Sequence, residues 1–383
     1  MSYHKNILIY DNQIDGHHLE YIHHLYKGAQ SRTEFNFIFV IPESFLKIKN
    51  QLEWKQVDNI QFVFIKEKDI YLNENIFLRS YKISKYVKSV AKVNNVSDVF
   101  FITLMTLLPS IIFFFNSKIK VSGIIYQIYL YRWSKASIFI KLQDIFKYII
   151  LTKSTFFKSL FILNDSGSAD YLNKIFKTTR FKYLPDPFIP LPTNKLQNLR
   201  NKLQIPHNKK IILHFGAIAE RKGSLNILKS INSLSENDLL NFTFIFAGRV
   251  DNNIKDEFYK IYSQIKKKTQ VFVFDEFCEY EFISSLCFTC DFILIPYLVT
   301  ANSSGVLGYA AQFNKPVVAP RNGLLGKLIK KYKLGVLLSS SSIKSIKSFL
   351  LSINDHNIDV KSYYLEGRTV SNFNNKIFEQ FHV

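Results

Sequence analysis

The stretch Lys210–Ser233, KIILHFGAIAERKGSLNILKSINS, has the order strand, glycine loop and helix. Its apolar run Lys210–Phe215 ends at Gly216, and the predicted helix Ser224–Ser233 begins directly after Gly223. A short apolar run bounded by a glycine is typical of a buried strand, and an amphipathic segment after it is typical of an α/β domain. We therefore predict that this part of the chain begins a parallel sheet with covering helices.

The same alternation continues through the second half of the chain. We predict four further strands, at Phe242–Ala247, Val271–Phe274, Phe292–Pro296 and Pro316–Ala319. Helices are predicted between them at Ile254–Lys267, Glu279–Phe288 and Gly305–Phe313. Strands that alternate with helices pack as a parallel sheet with helices on both faces, which is a doubly wound, Rossmann-like domain.

The first half of the chain has the same organisation. Strands are predicted at Lys5–Tyr10, Glu34–Ile41, Asn59–Ile65, Val96–Thr103, Ser122–Gln127 and, as the last one, Ser159–Leu163. The proline-rich segment Tyr183–Pro192, YLPDPFIPLP, then predicts an extended linker. The fold class is therefore α/β, with two Rossmann-like doubly wound parallel-sheet domains. We place the first at residues 1–185, the linker at 186–195 and the second at 196–365.

Composition and charge narrow the possible partners. The 383 residues are 47% hydrophobic, as in a globular protein, and the net charge of +20 is divided evenly between residues 1–190 and 191–383. Such a surface attracts polyanions. The sequence has no zinc-ligand spacing, no RNA-recognition aromatic signature and no long basic arm, so a phosphorylated substrate or an anionic membrane surface is favoured over nucleic acid.

The cysteines and the apolar segments indicate neither a disulfide framework nor a signal peptide. The three cysteines, Cys278, Cys287 and Cys290, are close together in the sequence, and we interpret them as reduced, apolar side chains. The N-terminal segment has no charged leader followed by a long apolar core. The apolar run Val99–Phe115 is too short and too polar for a membrane span, and we predict a buried strand followed by a buried helix that begins near Pro109.

Two places in the second half could bind an anion. In the first, Arg221 and Lys222 follow the strand that ends at Gly216 and could neutralise a diphosphate, although a solvated loop is the alternative. In the second, Asn302 or Ser303 is predicted to cap a helix, while the small residues Ser304 and Gly305 would let its first N–H groups approach a phosphate. An ordinary capped helix would also explain the serines.

A third place lies after the first strand, at Asp15-Gly16-His17-His18. Gly16 would let this loop approach a ligand, and His17 or His18 could bond a sugar or a phosphate. Solvent exposure of at least one histidine is the alternative. No acidic or cysteine ligands accompany the pair, so we predict no metal site.

Together these motifs resemble the retaining GT-B glycosyltransferases known as glycosyltransferase family 4, also called glycosyl transferases group 1. The resemblance covers about residues 205–340, through the strand ending in Gly216, Lys222-Gly223, Ala247-Gly248, the strand ending in Pro296, and Gly305 through Pro316-Val317-Val318. The rest of the chain is similar in architecture only. The resemblance implies two domains that face a cleft, and residues 366–383 as a C-terminal helix that packs back on the first domain.

The resemblance also implies roles for these residues. Lys222, with Arg221, would contact the donor diphosphate, the backbone of Ser303–Val306 would hold phosphate or sugar, and Gly16 would close over the donor. Gly216, Gly248, Asn302 and Tyr309 complete the predicted donor-binding set, and Arg221, Lys222 and His17 are the predicted catalytic residues. The family usually has two glutamates before the Pro-Val strand, and this chain has Ala301 and Tyr309 there. Where the family usually has a basic residue after the first glycine, this chain has Ala217. Where the family usually has a histidine at the end of a strand in the first domain, this chain has Gln127.

The implied activity is transfer of a sugar from a nucleoside-diphosphate sugar, with retention, to a glycan or lipid-linked acceptor in surface polysaccharide synthesis. No cofactor or metal is implied, and we expect a cytoplasmic protein, peripheral to the inner face of the cell membrane. The alternative is a non-catalytic GT-B relative that binds a nucleotide sugar or scaffolds a partner enzyme.

Overall fold

The computed structural model describes residues 4–14, 16–47, 54–55, 57–70, 74–126, 128–133, 136–353, 358–360 and 363–382. Contacts within the chain divide it into two compact units. Unit 1 comprises Met1–Pro187 with Arg368–Val383, and unit 2 comprises Phe188–Gly367. The predicted α/β class with two parallel-sheet domains is confirmed, because each unit is built on one such sheet.

Unit 1 contains a sheet of seven described strands in the order β3-β2-β1-β4-β5-β6-β7, all paired in parallel. The strands are β1 Lys5–Tyr10, β2 Phe35–Pro42, β3 Ile60–Ile65, β4 Asp98–Phe101, β5 Lys120–Ile125, β6 Phe157–Leu163 and β7 Phe181–Leu184. Its longer helices are α1 His17–Gln30, α2 Ile76–Val93, α3 Ile138–Lys153 and α4 Ser166–Phe176. Two apolar clusters cover the sheet, one containing Leu8 and Val99 and the other Ile7 and Phe100. Neighbouring strand residues belong to different clusters because side chains alternate between the two faces of a strand.

Unit 2 contains a sheet of six described parallel strands in the order β10-β9-β8-β11-β12-β13. These are β8 Lys210–Phe215, β9 Phe242–Ala247, β10 Gln270–Phe274, β11 Phe292–Leu294, β12 Val317–Pro320 and β13 Gly335–Leu338. Its helices are α5 Leu199–Lys202, α6 Ser224–Asn232, α7 Glu236–Leu239, α8 Lys255–Ile265, α9 Tyr280–Thr289, α10 Val306–Gln312, α11 Gly323–Tyr332 and α12 Ile343–Leu351. The order reverses beside β8, so the carboxyl ends of β8 and β11 meet at the switch point where such sheets bind ligands.

Residues Arg368–Val383 belong to unit 1, although they follow unit 2 in the sequence. Helix α13, Val370–Phe378, packs on α1: the side chain of Asn374 donates to the backbone oxygen of His24 at 2.8 Å. A Cβ at Gly28 would lie 2.5 Å from the Asn374 amide nitrogen, so the two helices are in close contact at this glycine.

Three predictions about local structure were wrong. Ser159–Leu163 is not the last strand of its sheet, because β7 follows it and includes Tyr183, which we had assigned to the linker. The helix expected near Pro109 is absent from the described residues, which form two short 3-10 turns, Met105–Leu107 and Ser110–Phe113. Pro109 has no N–H with which to continue the first turn.

Strand β13, Gly335–Leu338, was also missed. The other predicted strands, and the four predicted helices of unit 2, agree with the observed bounds to within two residues, which is usual for the ends of elements.

A candidate donor site in unit 2

The loop between β8 and α6 is held by a buried hydrogen-bond network. The imidazole of His214 bonds through Nδ1 to the backbone oxygen of Leu294 at 2.8 Å and through Nε2 to Ser224 Oγ at 2.9 Å. Ser224 Oγ also accepts from the N–H of Ala219 at 3.1 Å. Since a carbonyl only accepts, Nδ1 carries the proton and Nε2 accepts from Ser224. This chain of bonds joins both ends of the loop to β11.

Three glycines, two in this loop and one directly after β9, let the loop follow its path. Gly223 has φ +74°, and a Cβ there would lie 2.2 Å from the backbone oxygen of Pro296. Gly248, with φ +136°, lies so close to the end of β8 that a Cβ would be 1.9 Å from the backbone oxygen of Gly216. Gly216 itself has φ +92° and open space where a Cβ would be. The ends of β8, β9 and β11 therefore meet without intervening side chains.

Lys222 lies at the end of this loop, half-buried, with its Nζ 3.8 Å from the centroid of the Tyr297 ring. Burial, together with a smaller contribution from the neighbouring Arg221, lowers the pKa of Lys222 from 10.5 to about 8. Within the described part of the chain, no carboxylate acts on that pKa. A lysine that is desolvated without an acidic partner gains more from an incoming anion than a solvated lysine does. Arg221 is exposed, and its backbone oxygen accepts from Leu298 N.

Tyr297 connects Lys222 to the segment before α10. Its hydroxyl lies 3.2 Å from Ser304 Oγ, and both residues are buried. Burial raises the pKa of Tyr297 to about 12, so the ring remains neutral and its face remains available to the ammonium group. Lys222, Tyr297 and Ser304 thus form one contiguous cluster, which we call the Lys222 cluster.

The predicted helix cap at Asn302 or Ser303 was wrong. Helix α10 begins at Val306 with Gly305 as its N-cap residue, and the hydroxyl that bonds the first helical amide is that of Ser304, 3.3 Å from Val306 N. The N–H of the next residue, Leu307, donates to Ser304 O at 3.1 Å. Two of the amides expected to face a phosphate are therefore bonded within the chain. Gly305 is exposed, with open space where a Cβ would be.

Tyr309 packs in an aromatic group. Its ring centroid is 5.6 Å from that of Phe188 and 6.2 Å from that of Phe215. The position that carries a glutamate in the resembling family therefore holds an aromatic side chain beside the end of β8, and Ala301 has no side chain that could supply a charge.

In unit 1, the structure separates the two neighbouring histidines. His17 is exposed and its Nδ1 is 3.3 Å from Glu20 Oε2. His18 instead bonds to the buried Asp11 at 2.7 Å and stacks on Tyr126, with ring centroids 6.0 Å apart. Burial raises the pKa of Asp11, and the hydrogen bond from His18 opposes that rise. The sequence had selected His17 and had not identified the Asp11–His18 pair.

Gly16 is the N-cap residue of α1 with φ +55°, and a Cβ there would meet nothing within 4 Å. The predictions for Asp15 and Gln127 fall outside the described residues. Within the described ranges, no three His, Cys, Asp or Glu residues are grouped so that they could hold a metal ion.

Comparisons with known proteins concern the family and the fold. Residues 196–360 match the family described as "Glycosyl transferases group 1". A search of curated proteins finds no match. Among solved structures, HepE of Anabaena, crystallised in complex with UDP, is similar with a TM-score of 0.68 and 14% identity, over 99% of each chain.

Two further structures have the same fold. A glycosyltransferase from Rickettsia africae has a TM-score of 0.64 and 13% identity over 98% of this chain and 97% of its own. WaaG, a glycosyltransferase involved in lipopolysaccharide biosynthesis, has a TM-score of 0.60 and 15% identity over 97% of this chain and 94% of its own. Residues 196–360 are therefore similar to the glycosyl transferases group 1 family, and the whole chain has the GT-B fold of these glycosyltransferase structures.

Proposed function

We propose that this protein is a glycosyltransferase that takes its sugar from a nucleoside-diphosphate sugar and binds the diphosphate at the Lys222 cluster. The observation that carries the proposal is the half-buried ammonium group of Lys222, which lies over Tyr297 with no acidic partner among the described residues. A diphosphate would supply the missing negative charge, and Arg221 would add a planar donor at the solvent side. In the transfer step, the same two cations would stabilise the leaving diphosphate by charge already in place.

Uridine diphosphate is the first nucleotide to test, because HepE of Anabaena was crystallised with UDP and with UDP-glucose. We also propose donor-binding roles for Gly216 and Gly248, which follow β8 and β9. The same role is proposed for the residues before and in α10, namely Asn302, Ser303, Ser304, Gly305, Val306 and Tyr309. Because Ser304 already bonds the N–H of Val306, the two cations rather than the α10 amides would provide most of the attraction.

The experiment is thermal stabilisation of the full chain by a panel of nucleoside diphosphates. We expect one nucleotide to raise the midpoint temperature of unfolding. Lys222→Ala should weaken the affinity for that nucleotide about tenfold or more, which is the effect of losing a hydrogen bond to a charged group. Arg221→Ala should have a smaller effect, because that side chain is exposed. Lys260→Ala, which removes an exposed lysine of α8, is the matched control. Equal affinity in Lys222→Ala and Lys260→Ala would contradict the proposal.

We further propose that transfer proceeds with retention, without a metal ion or other cofactor, to a glycan or lipid-linked acceptor in surface polysaccharide synthesis. His17 is the catalytic residue proposed in unit 1, and Gly16 would close over the donor. The anomeric configuration of sugar released during slow donor hydrolysis, followed by NMR, tests retention. Unchanged turnover in the presence of a chelator tests metal independence. We place the protein on the cytoplasmic side of the cell, in contact with an anionic membrane surface.

A second candidate is a non-catalytic relative that binds a nucleotide sugar or scaffolds a partner enzyme. The observation that favours it is the aromatic packing of Tyr309 where the resembling family has a carboxylate. Nucleotide binding without detectable donor turnover in the presence of lipid and glycan acceptors would support this candidate over the enzyme.

A further inference from the structure

Helix α3 of unit 1 exposes a stripe of large apolar side chains. Phe139 is 68% exposed, Leu142 58% and Phe146 56%, and Ile138 and Ile149 extend the stripe at either end. Positions three or four residues apart lie on one side of a helix, so these side chains form a continuous strip along its outer surface. We call it the α3 stripe. A surface helix normally has the opposite orientation, with its apolar side toward the core.

The inner side of α3 shows why the helix cannot simply rotate to bury the stripe. Asp144 is fully buried there and accepts from Arg132 Nε at 2.9 Å and from Trp133 Nε1 at 3.0 Å. Beside it on the inner side, Tyr148 and Leu151 are also fully buried. Rotation would remove a buried carboxylate from its partners, which is strongly unfavourable. The exposed orientation of the stripe is therefore fixed by the fold.

The charges around the stripe are positive. Lys141, Lys147 and Lys153 are the basic residues of α3, and its one acidic residue, Asp144, is buried and paired with Arg132. Lys141 and Lys147 flank the stripe on opposite sides of the helix, and Lys153 lies at its end. An apolar strip bordered by lysines, on a chain of net charge +20, is the pattern of a helix that lies in the headgroup region of an anionic bilayer.

We propose that the α3 stripe is the surface through which this protein binds an anionic lipid membrane. The inference rests on the membrane association proposed above and names the residues responsible. The apolar side chains enter the boundary between headgroups and acyl chains, while Lys141 and Lys153 contact lipid phosphates. The Nζ of Lys147 lies 4.8 Å from the centroid of the Tyr129 ring and is held against the protein. No described helix is long and apolar enough to span a bilayer, and this mode of binding does not require one.

The experiment is sedimentation of the full chain with phosphatidylcholine vesicles, with and without phosphatidylglycerol. We expect binding to the phosphatidylglycerol vesicles that weakens as salt is added, because the electrostatic part is screened. The double variant Phe139→Ser/Phe146→Ser should reduce partitioning about tenfold or more, through loss of inserted apolar area. Lys141→Gln/Lys153→Gln should reduce binding to the vesicles that contain phosphatidylglycerol and leave binding to pure phosphatidylcholine vesicles unchanged. Phe277→Ser, which removes a Phe of similar exposure from unit 2, is the matched control and should bind like the unmodified chain.

Failure of this inference differs from failure of the proposed function, because nucleotide stabilisation is measured without vesicles and should be the same in all these variants. Absence of binding to anionic vesicles would overturn the inference, and so would equal binding by the double serine variant and Phe277→Ser. If the stripe instead joins two copies of the chain, the unmodified protein would sediment as a dimer that the double serine variant lacks, and vesicles would not bind. That result would also overturn the inference.

Discussion

The low pKa of Lys222 predicts an unusual pH dependence of nucleotide affinity. In the free protein, burial lowers this pKa to about 8. A diphosphate beside the ammonium group would return the pKa toward its ordinary value of roughly 10.5. Binding at alkaline pH would therefore take up a proton, and affinity should fall as the pH rises through 8.

The size of the effect follows from the two pKa values. At pH 7 nearly all free protein has a charged Lys222, whereas at pH 9 only about one molecule in ten does. If the bound form remains charged, affinity should be about tenfold weaker at pH 9 than at pH 7. The unfolded chain binds this proton up to roughly pH 10.5 and the folded chain only up to about 8, so the free protein's stability should rise with pH over that interval. Affinity and stability thus change in opposite directions.

Isothermal titration calorimetry from pH 7 to pH 9 measures this dependence directly. The matched control is Lys222→Arg, since a guanidinium group remains charged throughout the range. Any pH dependence of affinity in Lys222→Arg arises from the nucleotide and from other titrating groups. The difference in pH dependence between the unmodified protein and Lys222→Arg therefore arises from Lys222. An unmodified protein whose affinity is level from pH 7 to pH 9, or has the same slope as Lys222→Arg, would refute the assignment of Lys222 to the diphosphate.

Three further predictions concern the framework of the site. Gly223→Ala places a Cβ 2.2 Å from a backbone oxygen at φ +74°, and should lower unfolding free energy by more than about 1 kcal/mol in urea titrations. A Cβ at Gly305 would meet open space, so Gly305→Ala should leave the unfolding free energy unchanged. Equal losses of unfolding free energy in Gly223→Ala and Gly305→Ala would contradict this explanation. Ser224→Ala removes the hydroxyl between His214 and the loop backbone, and should cost about 1–2 kcal/mol and weaken nucleotide binding in the same calorimetric assay. Burial lowers the pKa of His214 to about 4, so the unfolded chain binds more protons between pH 4 and 6.5. Stability should therefore fall as the pH drops through that range, and less so in His214→Asn, as followed by thermal melting.

The sequence predicted the alternation of strands and helices because buried parallel strands are continuous apolar runs. The sequence did not predict strands that are short or that lie beside prolines or serines. β13 has four residues, Gly335–Leu338, followed by a run of serines, and does not stand out as a strand. β7 ends one residue before the first proline of YLPDPFIPLP, and the prolines concealed it. A strand at the edge of a sheet pairs on one side only, which makes such a position tolerant of a nearby proline.

The candidate site was predicted in part, for a similar reason. Glycines and basic residues after strands can be read from the chain, so the loop containing Lys222 was found. Tyr297 was not, because it follows a strand as one more aromatic residue and acquires its meaning only from the Lys222 Nζ that lies over its ring. Ser304 was found as a small residue near a phosphate, but its bonds to Tyr297 and Val306 depend on where α10 begins.

The two histidines of α1 illustrate the limit most clearly. Neighbouring residues in an α-helix point about 100° apart, so only one of His17 and His18 can face the end of β1. Which one does so depends on the residue at which the helix begins, and sequence patterns locate helix ends less precisely than that. In the structure Gly16 is the N-cap residue, and this phase directs His18 to Asp11 and His17 outward beside Glu20. A buried carboxylate that orients an imidazole by a hydrogen bond is the usual support of a histidine that transfers protons. Variants designed to find proton transfer in unit 1 should therefore include His18 and Asp11 together with His17.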